Sequence, residues 1–140
     1  MSSDALSLTL LNEPSAVPRT AEQVAAFCRD RNIAGPIAYK FNLALDETLT
    51  NAISHAFGDG GRHQIDVNVE NRDGYLTATV SDDGTPFDPL AHPPPDVHAA
   101  VEDRKIGGLG IHLLRTLMDT VAYRRHDGRN HLMFRIRVTP

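Results

Sequence analysis

Apolar side chains recur at three- and four-residue spacing between positions 41 and 56. Phe41, Leu45, Thr48, Leu49, Ala52, Ile53 and Ala56 form one stripe, which predicts a helix with one buried face. It begins near Pro36, a residue suited to a first helical turn, and ends near Gly58. Upstream, the loose alternation of 5–12 predicts a strand and Glu13 to Pro18 a turn. Thr20 with Gln23 three residues on reads as a capping box, opening a helix to about Asn32 with Val24, Phe27 and Cys28 inward. Downstream, 58–63 is a glycine-rich loop. Ile65, Val67 and Val69 alternate with Asp66, Asn68 and Glu70, so 64–71 is a strand. Asp73-Gly74 is a strong hairpin signal, and 75–82 is the returning strand.

Periodicity disappears from 83 to 106, apart from a short helical stretch in VHAAVEDR; loops of that length in a compact domain are usually functional. A helix is expected over 107–121, with Ile111, Leu114, Leu117 and Met118 inward. Residues 121–127 and 131–138 make a last hairpin, joined by Asp127 to Asn130. Strands in hairpin runs with helices between them predict an α+β fold. It is a two-layer sandwich whose mixed, mostly antiparallel sheet has one face covered by helices.

Composition changes this picture little. The 140 residues suit one domain, residues 1–140, with 41% hydrophobic content and a net charge of −4. That charge gives no global attraction to nucleic acid or anionic membrane, so an anionic ligand needs a local site. The single cysteine, Cys28, excludes a disulfide framework and a Cys-based zinc site. The first residues have no basic region followed by an apolar run, and no stretch is long enough to span a membrane. A cytoplasmic protein without direct nucleic-acid or membrane partners is expected. The histidines lack metal spacing, with His92, His98 and His112 expected on lid or helix surface; Arg124 and Arg125 read as solvated charges.

Three places carry candidate chemistry. Glu47 and Asn51 are four residues apart, hence neighbours on the central helix away from the centre of its stripe. A carboxylate can take a proton, and an Asn carbonyl is a hard oxygen ligand suited to Mg²⁺. Taken alone the pair reads as a solvated helix face. Asp82 ends a strand beside Asp83 and Gly84. It can accept a hydrogen bond from an exocyclic amine, or it is turn chemistry. GGLG at 107–110 opens a helix. Exposed amides and the helix dipole there suit phosphate, or the glycines are a hinge. The pattern is neither a Walker A loop nor a Rossmann fingerprint, and the HRD and DFG motifs of ordinary protein kinases are missing.

In order, ALDETLTNAISHA, VSDDGTPFDP and GGLGIHLLRTLMD are similar to the motifs of the Bergerat-fold ATPase superfamily, which includes gyrase, MutL and the ATP-binding domain of histidine kinases. The chain most resembles its stand-alone anti-sigma-factor serine/threonine kinases, over roughly Leu6 to Val138. The resemblance implies ATP and Mg²⁺ as cofactors, with a sigma factor and an STAS-domain anti-anti-sigma protein as partners; it allows a homodimer. It implies Glu47 as the catalytic carboxylate and Asn51 as the Mg²⁺ ligand. Asp82 and Gly84 would hold the adenine, and Gly108 and Gly110, with the helix they start, the phosphates. A mobile ATP lid would lie over about 90–106. At the lid's end Arg104 or Lys105 reaches the γ-phosphate, or the two are a solvated pair of charges. The chain departs from the pattern at Pro86, at Pro93 to Pro95, and at Asn130 and His131, which stand where many relatives carry a threonine near the adenine. A nucleotide-responsive module that sequesters a partner without transferring phosphate is the alternative.

Overall fold

In the computed structural model, residues 4–55, 57, 61–91 and 106–138 are described, the side chains of the last segment from 112 on. The elements are β1 (Ala5–Leu11), α1 (Ala16–Asp30), α2 (Gly35–His55), β2 (Gln64–Arg72), β3 (Tyr75–Asp82), a 3-10 turn (Pro89–Ala91), α3 (Ile106–Leu117), β4 (Thr120–His126) and β5 (Arg129–Arg137). The strands form one five-stranded sheet in the order β1-β2-β3-β5-β4. Every pairing among them is antiparallel, with no parallel pair among the described residues.

Alternation sets the two layers. Val67, Val80 and Leu132 stand side by side across β2, β3 and β5, as do Val69, Ala78 and Phe134. All six are buried and pack beneath Phe41, Leu45 and Leu49 of α2. Phe41 and Phe134 meet at 5.3 Å between ring centroids, tilted by 55°, a favourable aromatic geometry. From Phe41 to Ile53 the stripe read from the sequence is therefore the face of α2 that lies on the sheet; its last member, Ala56, lies outside the described residues. The opposite sheet face is polar. On it Thr9 donates to Asp66 at 2.9 Å, Asp66 pairs with Arg129 at 2.9 Å, and the Arg135 guanidinium lies 4.4 Å from the Tyr75 ring.

Both hairpins turn through Asp-Gly. Asp73 and Gly74 have φ of 57° and 83°, and Asp127 and Gly128 have φ of 53° and 72°. Two successive positive values match the twist of the flanking strands. The second turn is tighter than the expected loop from Asp127 to Asn130, and so Arg129 and Asn130 belong to β5.

Helix α1 also differs from expectation. It starts at Ala16, with Ser15 at the cap position and Pro18 in the first turn, where a missing amide hydrogen costs nothing. Thr20 is inside the helix and buried; its hydroxyl donates to the Ala16 carbonyl at 2.8 Å instead of capping. The helix stops at Asn32, whose φ of 57° lets the Ile33 amide reach back to the Cys28 carbonyl at 3.0 Å. Cys28 is buried, and burial pushes its thiol pKa up while Arg31 pulls it down. Among the described residues, no helix is long and apolar enough to cross a membrane.

Candidate functional site

Where β3 ends and β5 begins, an otherwise apolar layer turns polar. Arg125, Asn130 and Asp82 form one transverse row across β4, β5 and β3. Asp82 and Asn130 are each only 5% exposed, so their polar atoms must be paired to be tolerated. The Gly84 amide and Asn130 Nδ2 both donate to Asp82 Oδ1, at 2.9 Å each. Asn130 Nδ2 also donates to the Thr85 carbonyl at 2.9 Å. Asn130 Oδ1 accepts from the Tyr123 hydroxyl at 2.5 Å, Arg125 Nη1 at 3.2 Å and the Phe87 amide at 3.3 Å. Arg125 Nη1 donates further to the Gly84 carbonyl at 2.7 Å. The loop after β3 is thus tied to β4 and β5 at Gly84, Thr85 and Phe87. No hydrogen bond to Asp82 Oδ2 occurs among the described residues.

A cavity of about 30 Å³ opens beside this corner, lined among others by Thr48, Asn51, Asp82, Phe87, Pro89 and Asn130. That is room for a water or two. The Thr48 hydroxyl is spent on the Ala44 carbonyl at 2.9 Å. Asn51 is 6% exposed, and its Nδ2 is buried without a partner among the described residues. A buried unpartnered amide costs about 1–3 kcal/mol, so Asn51 is not the solvated face that its spacing alone suggests.

Glu47 lies one helical turn before Asn51, half-buried, and does not line the cavity. Its neighbour Asp46 has a pKa raised above the ordinary carboxylate value, first by burial and then by the charge of Glu47. Asp46 Oδ1 is buried and unpartnered among the described residues. Gly84 is buried at the Asp82 turn. Gly108 and Gly110 lie inside α3, which starts at Ile106; the glycines are its first turns and not a loop before it. Only the first four amides of a helix lack intrahelical acceptors. Gly107 and Gly108 fall among these and Gly110 beyond them. Lys105, Arg104, His92, His98, Pro93 to Pro95 and the helical stretch at 97–104 lie outside the described residues, as does most of the expected lid. His112 is exposed on α3.

The structure therefore brings Asn51, Asp82 and Gly84 to one corner, with Glu47 a turn away. It adds Asn130, Tyr123 and Arg125. Arg125 is not simply solvated, because its guanidinium bonds inward to two groups of the corner. Strand alternation carries the signal for this pair, since Val121, Tyr123 and Arg125 share one face of β4.

Comparison with known proteins agrees with this layout. A family model described as histidine kinase-like ATPase domain matches residues 10–136. The chain is 31% identical over 96 residues to the serine/threonine-protein kinase BtrW of Bordetella bronchiseptica, covering 69% of this chain and 68% of that one. It is 36% identical over 95 residues to the serine-protein kinase RsbW of Listeria monocytogenes, covering 65% of this chain and 60% of that one. The chain thus spans about three fifths of the Listeria protein. A solved structure of the RsbU and RsbW domains of a Mycobacterium tuberculosis protein shares the fold. Its TM-score is 0.67 at 16% identity, over 97% of this chain and 33% of the other.

Proposed function

The chain belongs to the histidine kinase-like ATPase domain family, and from that premise we propose that it is an ATP-dependent protein serine/threonine kinase acting as an anti-sigma factor. Its phosphoryl acceptor is an STAS-type anti-anti-sigma protein, and a sigma factor is its second partner. The kinase names of two relatives support the activity. A homodimer and a cytoplasmic location belong to the same proposal, as does a single domain over the whole chain.

The observation that carries this reading is the buried Asp82 carboxylate, half spent on Gly84 and Asn130, lining one cavity with Asn51. Asp82 takes the adenine amine, with Gly84 letting the base approach. Asn51 would hold magnesium through its side-chain carbonyl oxygen, a hard ligand; its Nδ2, buried and unpartnered among the described residues, would be left to donate to an acceptor such as a phosphate or water oxygen. Among the described residues no cluster of three or more His, Cys, Asp or Glu could cage a metal. Mg²⁺ suits such a place because it keeps waters and phosphate oxygens as most of its ligands. When bound, it neutralises charge on the β- and γ-phosphates. By the family resemblance, the amides at the start of α3, Gly108 among them, would hold the phosphates, Gly110 would give the backbone room, and Lys105 would reach the γ-phosphate. Glu47 accepts the proton of the partner's serine or threonine hydroxyl. That oxygen bonds to the γ-phosphorus while the bridge to the β-phosphate breaks, and ADP leaves with the electron pair.

The test incubates the chain with Mg²⁺, radiolabelled ATP and STAS-domain proteins of the same genome, beside Glu47→Ala. Label on a serine or threonine of one candidate, lost in the variant, is the expected result. ATP binding with no labelled candidate would make the chain a nucleotide-responsive binding module instead.

A further inference from the structure

Asn130 has committed its whole amide. Both hydrogens are donated, to Asp82 Oδ1 and to the Thr85 carbonyl, and its oxygen takes three donors. The Phe87 amide and the Arg125 guanidinium can only donate, so the amide cannot be flipped; its NH₂ end must face Asp82. Asp82 Oδ1 then carries two donors, and Oδ2 is the unspent oxygen of a side chain that lines the cavity. A carboxylate held this way is a fixed acceptor. It rewards a ligand edge that presents N–H. It penalises an edge that presents a carbonyl oxygen, because two desolvated acceptors then face each other. Adenine carries an amine at its sixth ring position; guanine carries a carbonyl there and its amine at the second, so a guanine seated in the adenine orientation turns an acceptor toward Asp82.

We propose that Asn130, braced by Tyr123 and Arg125, is the positioning residue that sets the base selectivity of this pocket. It locks Asp82 as an acceptor facing the sixth ring position of the base, so that the adenine amine is taken and the guanine carbonyl refused. This rests on the nucleotide-binding reading above and assigns selectivity to the residues behind the carboxylate. The brace is built by topology. Arg125 and Asn130 are register partners across β4 and β5, and Asn130 and Asp82 across β5 and β3. The tight Asp127-Gly128 turn puts Asn130 in the strand that makes this row possible.

Asn130→Asp is the sharpest test because it keeps the shape and removes the amide hydrogens. Its carboxyl would face Asp82 Oδ1 across the 2.9 Å contact now made by Nδ2. Two carboxylates sharing a site hold one proton between them, with one pKa strongly raised. The variant should therefore bind ATP best at low pH and lose about tenfold or more in affinity as that proton leaves, one pKa unit of coupling being worth a factor of ten. The other titratable groups around this corner are Tyr123 and Arg125 of β4, His131 beside Asn130, His55 of α2 against Phe87, and the exposed His63–Asp83 pair. Wild type carries all of them and is the control.

Asn130→Leu should narrow the ratio of ATP to GTP affinity about tenfold, the scale of one hydrogen bond to a charged group. Tyr123→Phe, which removes one brace and leaves the fold intact, should narrow it about threefold. Calorimetric titration of the full chain with ATP and with GTP reads all three. An Asn130→Asp curve with the same pH slope as wild type, or an unchanged ATP:GTP ratio in Tyr123→Phe, overturns the role of Asn130. Wild type binding neither nucleotide overturns the reading beneath it.

Discussion

Of two cavities among the described residues, the larger is the less informative. The cleft between β1 and α1 has about 280 Å³ and is walled by Leu8, Leu10, Leu11 and Ala16, with Arg19 and Gln23 also contributing. The corner between α2, β3 and β5 has about 30 Å³. The large cleft exists because an edge strand of half-buried leucines is only partly covered by α1. The small corner holds a buried carboxylate, a carboxamide whose Nδ2 is buried and unpartnered among the described residues, and a side-chain amide with every donor and acceptor used. Room follows from imperfect packing. Buried polar groups cost stability unless something is gained by keeping them, and that cost marks the corner as the functional one.

The comparison breaks most visibly at Glu47. Glu47→Gln should slow phosphoryl transfer by about a hundred- to ten-thousand-fold, the range of a lost general base, while nucleotide Kd stays near wild type; a variant that still labels its partner at the normal rate removes Glu47 from the chemistry. Asp82→Ala should weaken ATP binding by about a hundredfold, since it strips the base of its acceptor and leaves the Gly84 and Asn130 donors unpaired. Calorimetry reads it directly. In the large cleft, Leu10→Ala should do the reverse. Denaturant unfolding should show a loss of about 1–2 kcal/mol, below the full core value because Leu10 is half-buried, with Kd for ATP unchanged. A large effect on Kd would make the cleft part of the site.

The smallest effect is expected at Asp46. Its carboxyl pKa is raised by burial and by Glu47, so the folded state holds that proton more tightly than the unfolded chain. The contribution is complete below the unfolded value of about 3.9 and is lost as pH rises through the folded value. Asp46→Asn should therefore raise the melting temperature slightly near pH 7 and leave it unchanged at about pH 3; equal shifts at both would show that ionisation is not the cause.

The parts of the fold legible in the sequence are those where period and turn chemistry agree. The stripe from Phe41 to Ile53 is the sheet-facing side of α2, and the alternation of Ile65, Val67 and Val69 with Asp-Gly behind it is the β2–β3 hairpin. The start of α1 was hidden because Thr20 is as good a cap as it is a back-bonding interior residue, and Pro18 reads as a turn although it suits a first helical turn. Asp127-Gly128 carried the same hairpin signal as Asp73-Gly74, but the polar residues after it read as loop. Asn130 is polar and buried because its partner, Asp82, is 48 residues away, and no local pattern announces such a pairing. The same holds for Asn51, whose neighbours in space come from β3 and from the loop after it.

That separation also governs when the corner comes into being. Each Asp-Gly hairpin closes locally, but β3 and β5 can pair only after the chain from 83 to 119 has been looped out between them. Loop closure makes such contacts late and slow relative to local ones. Asp82 and Asn130 meet only across that pairing, so the pocket depends on it and on neither hairpin alone. A ligand that needs both residues would bind only the chain in which that pairing is made, and would raise its stability in step with the logarithm of ligand concentration.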